Sequence, residues 1–520
     1  MLARTLMVQG TASSVGKSLF VTALCRLFRQ DGIDVAPFKS QNMALNSAVT
    51  PDGFEIGRAQ AVQAEAAGLS PSVDMNPILL KPEGQQQAQV VVLGRPVARL
   101  SAREYHDYKL QLQGVVKDSL ERLRRRHELV IIEGAGSPAE INLKARDIVN
   151  MQVARLADAP VLLVGDIDRG GVFAALVGTL ELLEPEERER VAALVINQFR
   201  GDPSLLEPGL DFVRQRTGKP VLGVVPYVPG LRIADEDSVS LERRLGRQRP
   251  GPAELDLVVV RLPQLSNYDD VLALEHEPGV TVRFVQQPNE LRGADLVILP
   301  GSKSTLLDLG WLRASGISAE IARRAAAGGL VLGICGGCQM LGEWIADPER
   351  VESREPLVPG LGLLGFSTRF GADKRTTQVA ARPHSACFLS ESGADEDFAS
   401  GSSGSEAICG YEIHMGRVTT QATARSPFRI LSRNGQPVEA LDGAISRGGN
   451  VVGTMLHGLF ENAGLRRSLL RTLRQRRGVA EPNASALPSR AAEYDRLAAV
   501  VRQSLDLELL RRLIGRGAVS

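Results

Sequence analysis

Short apolar runs rich in β-branched residues recur along the first half of this chain, and each stops at a glycine or a polar residue. The runs do not alternate polar and apolar residues, so each suits a strand that is buried on both faces of a sheet. Segments with helical spacing separate them, and the pattern predicts a parallel sheet flanked by helices, with ligands at the carboxyl ends of the strands. The runs are Leu6 to Gln9, Val35 to Lys39, Leu129 to Glu133, Val161 to Asp166 and Ala193 to Asn197.

A second series of the same kind follows a basic, proline-containing segment from Arg243 to Ala253, which we interpret as a linker. A chain of 520 residues is longer than one hydrophobic core usually accommodates, so more than one domain is expected. We therefore predict two Rossmann-like α/β domains, residues 1–250 and 251–465, and a helical tail over 466–520. An acidic Gly/Ser-rich segment from Ser390 to Glu406 is expected to be a surface insertion. The later runs are Leu255 to Val260, Leu296 to Gly301, Leu330 to Ile334 and Val451 to Met455.

Composition narrows the class of protein. The net charge is +1, so there is no broad electrostatic case for nucleic acid or an anionic membrane as partner. Arginine clusters, such as Arg122 to Arg126, are interpreted as solvated helix faces. The five cysteines do not form a disulfide framework, which indicates a reducing compartment. With no signal peptide and no apolar stretch of about 18 residues, a cytoplasmic protein is expected.

The first apolar run leads into Gly10-Thr-Ala-Ser-Ser-Val-Gly16-Lys17-Ser18, and a helical pattern follows. Glycine allows backbone N–H groups to turn toward an anion, and the helix adds its positive end. Lys17 would reach the outer phosphates of a nucleotide, and the Ser18 hydroxyl would bind Mg²⁺. The alternative is an ordinary glycine turn with a surface lysine. Because a strand precedes the loop and a helix follows it, we predict nucleotide contacts from Gly10, Thr11, Gly16, Lys17 and Ser18.

The loop places five residues between Gly10 and Gly16, whereas the standard phosphate loop has four. It resembles the loop of the dethiobiotin synthetase-like enzymes, which are ATP-dependent P-loop ligases. In that group a Glu-Gly-Ala-Gly segment supplies a Mg²⁺ ligand, and the resemblance assigns this role to Glu133. It also assigns contact with the nucleotide base to Asn197, which ends a strand. For Glu133 the alternative is a carboxylate that caps a helix.

A second motif, Gly333-Ile-Cys335-Gly-Gly337-Cys-Gln339, follows another predicted strand. The glycines permit a sharp turn into a helix, which would project the Cys335 thiol and leave backbone N–H groups beside it for an oxyanion. His457 ends a later strand, which is a natural place for the base that a cysteine nucleophile needs. The sequence predicts that Cys335 and His457 are catalytic.

Three alternatives apply to the Cys335-Gly-Gly-Cys338 segment. It has the spacing of a redox pair, but its surroundings do not resemble the thioredoxin pattern. It has the spacing of half a zinc site, but no second pair of ligands occurs at zinc spacing. Both cysteines are also compatible with core packing, and this is the interpretation we favour for Cys338. His414 is expected to have a structural or substrate-contact role.

The Gly-x-Cys-x-Gly-x-Gln string with a downstream histidine resembles class I glutamine amidotransferases, and Pro300 to Thr305 resembles the loop that supplies their second oxyanion donor. Their triad usually ends with a glutamate two residues after the histidine, but position 459 is leucine here. The subgroup that acts on cobyrinic acids is similar in lacking that glutamate, which leaves a Cys-His dyad. Glu461 is a weak candidate for orienting His457.

Over almost the whole chain, the combination resembles the cobyric acid synthase family. The resemblance implies that ATP, glutamine and a corrinoid carboxylate are the substrates and that Mg²⁺ is required. It places Asp147 near the transferred phosphate and suggests Lys39 as a further nucleotide-site residue. The segments that carry it are Pro37 to Asn46, Gly134 to Asn142, Gly165 to Gly171 and Gly410 to Gly416.

The implied reaction amidates the b, d, e and g side-chain carboxylates of adenosylcobyrinic acid a,c-diamide, through an acyl phosphate that ammonia attacks. The nearest alternative is the sister enzyme that amidates the a and c carboxylates. Others are a ligase acting on a cell-wall lipid precursor and, from another class, a partition-type regulatory ATPase. The order of the amidations, the oligomeric state and the corrin contacts do not follow from the sequence, nor does whether the ammonia path is preformed.

Overall fold

Two parallel sheets, one in each half of the chain, organise the protein. The computed structural model describes residues 2–83, 87–233, 254–390, 407–421, 423–482 and 487–516. The strands of the first half are β1 Arg4–Gly10, β2 Val35–Phe38, β3 Gln41–Met43, β4 Ser47–Val49, β5 Glu55–Gly57, β6 Ile78–Glu83, β7 Gln87–Val92, β8 Arg95–Ser101, β9 Leu129–Glu133, β10 Val161–Asp166, β11 Val191–Phe199 and β12 Val221–Pro226. Its helices are α1 Lys17–Gln30, α2 Arg58–Ala66, α3 Ala102–Tyr108, α4 Gln113–Arg126, α5 Ile141–Lys144, α6 Met151–Ala157, α7 Val172–Leu182, α8 Pro185–Arg190 and α9 Glu207–Thr217.

The first sheet has the spatial order β12-β11-β10-β1-β9-β2, and every neighbouring pair is parallel. Residues of β1 alternate between two hydrophobic clusters, with Met7 in one and Leu6 and Val8 in the other. The apolar runs therefore form a sheet whose two faces are both covered by hydrophobic clusters, as predicted. Glu133 ends β9 and lies at the same edge as the loop that follows β1, as does Asn197, which lies two residues before the end of β11 and does not end the strand as expected.

The second half repeats this architecture. Its first sheet has the order β14-β13-β15-β16-β24-β23, in which β23 alone pairs antiparallel. The strands are β13 Leu255–Val260, β14 Val280–Val285, β15 Leu296–Leu299, β16 Leu330–Ile334, β17 Trp344–Ala346, β18 Leu357–Pro359, β19 Phe366–Pro383, β20 Ile408–Thr420, β21 Phe428–Arg433, β22 Gln436–Asp442, β23 Ala444–Ile445 and β24 Val451–Thr454. The helices are α10 Leu272–Glu275, α11 Thr305–Ala314, α12 Ile317–Ala326, α13 Gly336–Leu341, α14 Ala463–Arg477, α15 Arg490–Ser504 and α16 Leu507–Arg516.

A mostly antiparallel sheet, β18-β17-β19-β21-β22 with β20 paired to β19, was not anticipated from the sequence. It lies between β16 and β24 in the chain. The predicted two-domain parallel α/β class is confirmed, and this sheet is an addition to it.

The C-terminal helices divide between the two halves. Helix α14 lies on the second half, where Arg466 pairs with Glu277. Helices α15 and α16 instead return to the first half, where Leu497 and Val501 join the cluster that contains Leu24 and Phe28. The last part of the chain therefore completes the core of the first half.

Some expectations fall where the structure is not described. The interpreted linker from 243 to 253 lies outside the described residues, as does the boundary at 250/251, which stays a prediction. The same is true of the acidic segment beyond Ser390, up to Glu406. All five cysteines are free thiols. Among the described residues, no helix is both long enough and apolar enough to cross a membrane.

Candidate active sites

The loop after β1 has the geometry of a phosphate cradle. The Lys17 ammonium donates to the carbonyl oxygens of Ala12 and Gly136, at 2.9 and 3.0 Å. Thr11 donates its backbone N–H to Val164 on the neighbouring strand. A Cβ at Gly10 would lie 2.6 Å from the Val15 side chain and 2.9 Å from Lys17 Nζ. The tight turn therefore requires glycine, and it brings Lys17 back over the loop.

Glu133 connects several polar groups at the bottom of this loop. Its Oε1 accepts hydrogen bonds from Ser18 Oγ at 2.7 Å and from Lys39 Nζ at 2.9 Å. Its Oε2 accepts a hydrogen bond from Gln63 Nε2 at 2.6 Å. Three of these residues were predicted, and the structure places them together. Gln63 was missed, because it lies on α2 and has no motif of its own.

Asn197 and Asp147 form hydrogen bonds to the backbone near the phosphate loop. The Asn197 amide donates to the Val15 carbonyl at 2.9 Å, and a Cβ at Gly16 would lie 2.3 Å from that amide nitrogen. Asn197 therefore holds the end of the loop. Asp147 accepts backbone hydrogen bonds from Val149 and Asn150 and so orders the turn before α6.

A cavity of about 810 Å³ opens beside the phosphate loop. Ser13, Gly136 and Asp147 are among the residues that line it. Met43 and Leu143 also line it, and both are largely exposed. The cavity is thus lined by both polar and apolar residues.

The Cys335 turn is the strained elbow that the motif predicts. Cys335 has φ 51° and ψ −110°, an unfavourable backbone conformation for a non-glycine residue. A Cβ at Gly336 would lie 2.9 Å from the Ser302 nitrogen, and one at Gly337 would lie 2.1 Å from the Leu299 carbonyl oxygen. Both glycines therefore let the turn approach the loop after β15. The backbone nitrogen of Ser302 therefore lies close to Gly336, the residue that follows Cys335.

His457 lies next to Cys335 and is held by a residue that the sequence analysis missed. Its Nδ1 lies 2.6 Å from Asp270 Oδ2, and the other oxygen of Asp270 accepts the Gly458 N–H at 2.7 Å. The side chains of His457 and Asp270 are almost fully buried. Glu461, the weak candidate for this role, pairs instead with Arg490 at 3.2 Å. Asp270 stands 187 positions before His457, so no spacing rule reveals it.

The electrostatics of this group favour a charged imidazole. Burial acts to lower the pKa of His457, but the charge of Asp270 and the contact with Cys335 outweigh it and raise the pKa to about 10. The thiol is close enough to form a side-chain hydrogen bond with His457. A protonated histidine beside a cysteine stabilises the thiolate, which is the reactive form.

Cys338 and His414, the other residues considered for a role in this half, are both buried. Cys338 is fully buried, and its Sγ would lie 2.7 Å from a Cβ at Gly453. It belongs to the core, as predicted, which argues against a redox pair with Cys335. His414 is buried, with Nδ1 3.0 Å from the Gly416 carbonyl. Among the described residues, no cluster of three or more His, Cys, Asp and Glu side chains could hold a metal ion.

Both halves match known families. Residues 6–241 match the CobQ/CobB/MinD/ParA nucleotide binding domain, and residues 256–465 match the CobB/CobQ-like glutamine amidotransferase domain. The cobyric acid synthase of Sorangium cellulosum (strain So ce56) is 63% identical over 518 residues, covering 99% of each chain. The cobyric acid synthase of Dehalococcoides mccartyi (strain CBDB1) is 50% identical over 516 residues, covering 99% of this chain and 100% of the relative.

The chain belongs to the cobyric acid synthase family. As a member of that family it is a glutamine-hydrolysing ligase of cobalamin biosynthesis, with a nucleotide-binding half and a glutamine amidotransferase half. The resemblance drawn from the motifs is thereby confirmed. A partition-type regulatory ATPase is excluded, because residues 256–465 match a glutamine amidotransferase domain and the full-length relatives are cobyric acid synthases.

Proposed function

We propose that this protein uses ATP, Mg²⁺ and glutamine to convert the b, d, e and g carboxylates of adenosylcobyrinic acid a,c-diamide into amides. A carboxylate resists ammonia because it is anionic and has a poor leaving group. Transfer of the γ-phosphoryl group from ATP gives an acyl phosphate and ADP. Ammonia then forms the C–N bond, and phosphate leaves. The family and the names of the relatives support this substrate.

The phosphate loop carries the first step. Phosphoryl transfer depends mainly on positioning and charge neutralisation, which Lys17 and the backbone of the loop are placed to supply. The hydroxyl of Ser18 and the carboxylate of Glu133, 2.7 Å apart, are the hard oxygen donors that Mg²⁺ prefers. Bound there with the nucleotide, Mg²⁺ would neutralise phosphate charge. Mg²⁺ in such sites usually has only one or two protein ligands, because phosphate oxygens of the nucleotide and water molecules would supply the others.

The second half supplies ammonia. The Cys335 thiolate attacks the side-chain amide of glutamine, and the backbone N–H groups of Gly336 and Ser302 stabilise the oxyanion. His457 gives its proton to the departing ammonia, which leaves a thioester on Cys335. Water then hydrolyses the thioester to glutamate and restores the thiol. Asp270 positions His457 and stabilises its charged form. The observation that carries the proposal is that Cys335, His457 and Asp270 lie buried together in a chain that also contains the phosphate loop.

Ammonia released into water would be protonated and would lose its nucleophilic lone pair, so a closed path between the halves is an advantage. A buried ion pair joins the two halves. Glu55 of the first half pairs with Lys374 of the second at 2.5 Å, and it also pairs with Lys81 at 2.6 Å. Burial lowers the pKa of Lys374 to about 8, with Glu55 opposing this shift. These contacts support a route that bulk water does not enter.

The cavity beside the phosphate loop is the place where we propose that the corrinoid presents its carboxylates. Two of its apolar lining residues, Met43 and Leu143, suit a largely apolar macrocycle. Gly136 also lines the cavity and accepts a hydrogen bond from Lys17, so a corrinoid carboxylate bound there would lie beside the phosphate loop. Asp147 lies in the wall of the same cavity, in agreement with its proposed place near the transferred phosphate.

Amidation assays with two nitrogen sources test the proposal. Cys335→Ala is expected to add amides to adenosylcobyrinic acid a,c-diamide from ammonium salts but not from glutamine, as measured by mass spectrometry. Cys409→Ala, which changes an exposed free thiol, is the matched control and should retain both activities. Glutamine-dependent amidation by Cys335→Ala would contradict the nucleophile assignment. A wild-type protein that leaves this corrinoid unchanged would contradict the substrate assignment.

A further inference from the structure

Arg58 crosses from the nucleotide-binding half to the glutaminase site. It is the first residue of α2, and its Nε lies 2.8 Å from Asp269 Oδ2. Its Nη2 donates to the Tyr411 hydroxyl at 2.5 Å, and its guanidinium carbon lies 5.1 Å from the centre of the Tyr411 ring. Both partners belong to the second half. One side chain of the first half is thus held by two buried residues of the other.

The two partners of Arg58 are each linked to His457, one through the adjacent residue Asp270 and the other by ring stacking. Asp269 precedes Asp270, which binds His457 Nδ1. Tyr411 stacks on the imidazole, with ring centres 5.1 Å apart and an angle of 18° between planes, and it also exchanges backbone hydrogen bonds with His457. Arg58 therefore contacts the residue that precedes Asp270 in the chain and the aromatic ring that stacks on the imidazole.

The same helix contacts the phosphate loop. Gln63 lies five positions after Arg58, or about 7.5 Å along an α-helix. Its amide donates to Glu133 Oε2 at 2.6 Å and lies 3.4 Å from the Ser18 carbonyl oxygen. Helix α2 is therefore in direct contact with both reaction sites, at its first residue with one and near its end with the other.

We propose that Arg58 is a positioning residue of the glutaminase site and that α2 couples this site to occupation of the phosphate loop. The inference rests on the proposed roles of Cys335, His457 and Asp270. Any change at Glu133 or Ser18 on nucleotide binding acts on Gln63, and a shift of this short helix moves Arg58. Loss of Arg58 leaves Asp269 buried beside Asp270 without its counter-charge, which disturbs the carboxylate that holds His457.

Glutamate release from glutamine, with and without ATP and Mg²⁺, is the test. For Arg58→Met we expect kcat to fall about tenfold or more while KM for glutamine changes less than about twofold, because Arg58 touches the triad support and not the glutamine. We also expect the response of wild type to the nucleotide to be lost. Arg58→Lys, which keeps the charge for Asp269 but not the second contact, should recover part of kcat.

Two controls separate this role from general damage. Arg99→Met removes another arginine that joins the halves, since Arg99 pairs with Glu83 of its own half and donates to the Val351 carbonyl of the second half. This variant should leave glutamate release and its nucleotide response unchanged. Amidation from ammonium salts should stay near wild type in Arg58→Met, which shows that the first half remains folded. Wild-type kcat in Arg58→Met, or an unaltered nucleotide response, overturns the proposal. Cys335→Ala in the same assay reports separately on the site itself: continued glutamate release there would refute the proposed nucleophile, whatever Arg58→Met does.

Discussion

Asp270 Oδ2 lies 2.6 Å from His457 Nδ1, and the other oxygen of the same carboxylate accepts the N–H of Gly458. One side chain thus fixes both the imidazole and the backbone that follows it. The arrangement is that of a Cys-His-Asp triad, in which the acid comes from a 3₁₀ helix, Tyr268–Val271, far away in sequence.

Replacement of Asp270 by asparagine should lower glutamine hydrolysis about a hundredfold or more, as loss of a buried orienting carboxylate does in other triads. The pKa of His457 is raised to about 10, so the wild-type ring keeps its proton through neutral pH and activity should fall on the alkaline side only near that value. Without the charge of Asp270, burial prevails and the pKa drops, so the alkaline limb of the pH profile should move to lower pH. Glu461→Gln, which changes the carboxylate paired with Arg490, should leave the profile in place.

The Cys335 elbow should not tolerate a methyl group at Gly337. A Cβ there would lie 2.1 Å from the Leu299 carbonyl oxygen, so we expect Gly337→Ala to destabilise the protein by about 1–3 kcal/mol and to abolish glutamate release. Gly310→Ala is the matched control, since nothing lies within 4 Å of a Cβ at that helical position. It should be neutral or stabilise by up to about 1 kcal/mol. Thermal unfolding measures both, and equal behaviour of the two variants would contradict the close-packed elbow.

Lys17→Met should abolish amidation from glutamine and from ammonium salts alike, because the acyl phosphate no longer forms. Glutamate release in the absence of nucleotide should continue, since Lys17 lies in the phosphate loop of the first half, where it donates to the carbonyls of Ala12 and Gly136. Lys117→Met, at an exposed position on α4, is the comparison. Nucleotide binding by calorimetry and product analysis by mass spectrometry provide the measurements. Amidation from ammonia by Lys17→Met would show that the loop is not the phosphoryl-transfer site.

Helices α15 and α16 should stabilise the first half and not the second. Leu497 on α15 is 4% exposed in the cluster around α1, so Leu497→Ala should cost about 2–5 kcal/mol. Leu182→Ala, at a side chain that is 49% exposed, should cost little. Hydrogen exchange should accelerate in α1 and β12 while β16 remains protected. Faster exchange confined to the second half would contradict this assignment.

Some of this protein can be deduced from local sequence alone. Buried parallel strands have apolar residues throughout, so the runs ending at Gly10, Glu133 and Asn197 predicted both the sheet and the edge where ligands collect. The phosphate loop and the Cys335 elbow are also local, because each is a short turn whose glycines and reactive residues are contiguous. Lys17, Ser18 and Cys335 could therefore be assigned from their neighbours in the chain.

Only the tertiary structure determined which distant residues complete those sites. Asp270 and Gln63 have no motif, and each acquires its role when separate strands and helices bring its side chain to His457 or Glu133. The same is true of α15 and α16, whose amphipathic pattern predicts helices but not the half of the chain that they cover. A periodic pattern specifies that a face will be buried, whereas the partner of that face is selected by packing and charge contacts between segments hundreds of residues apart.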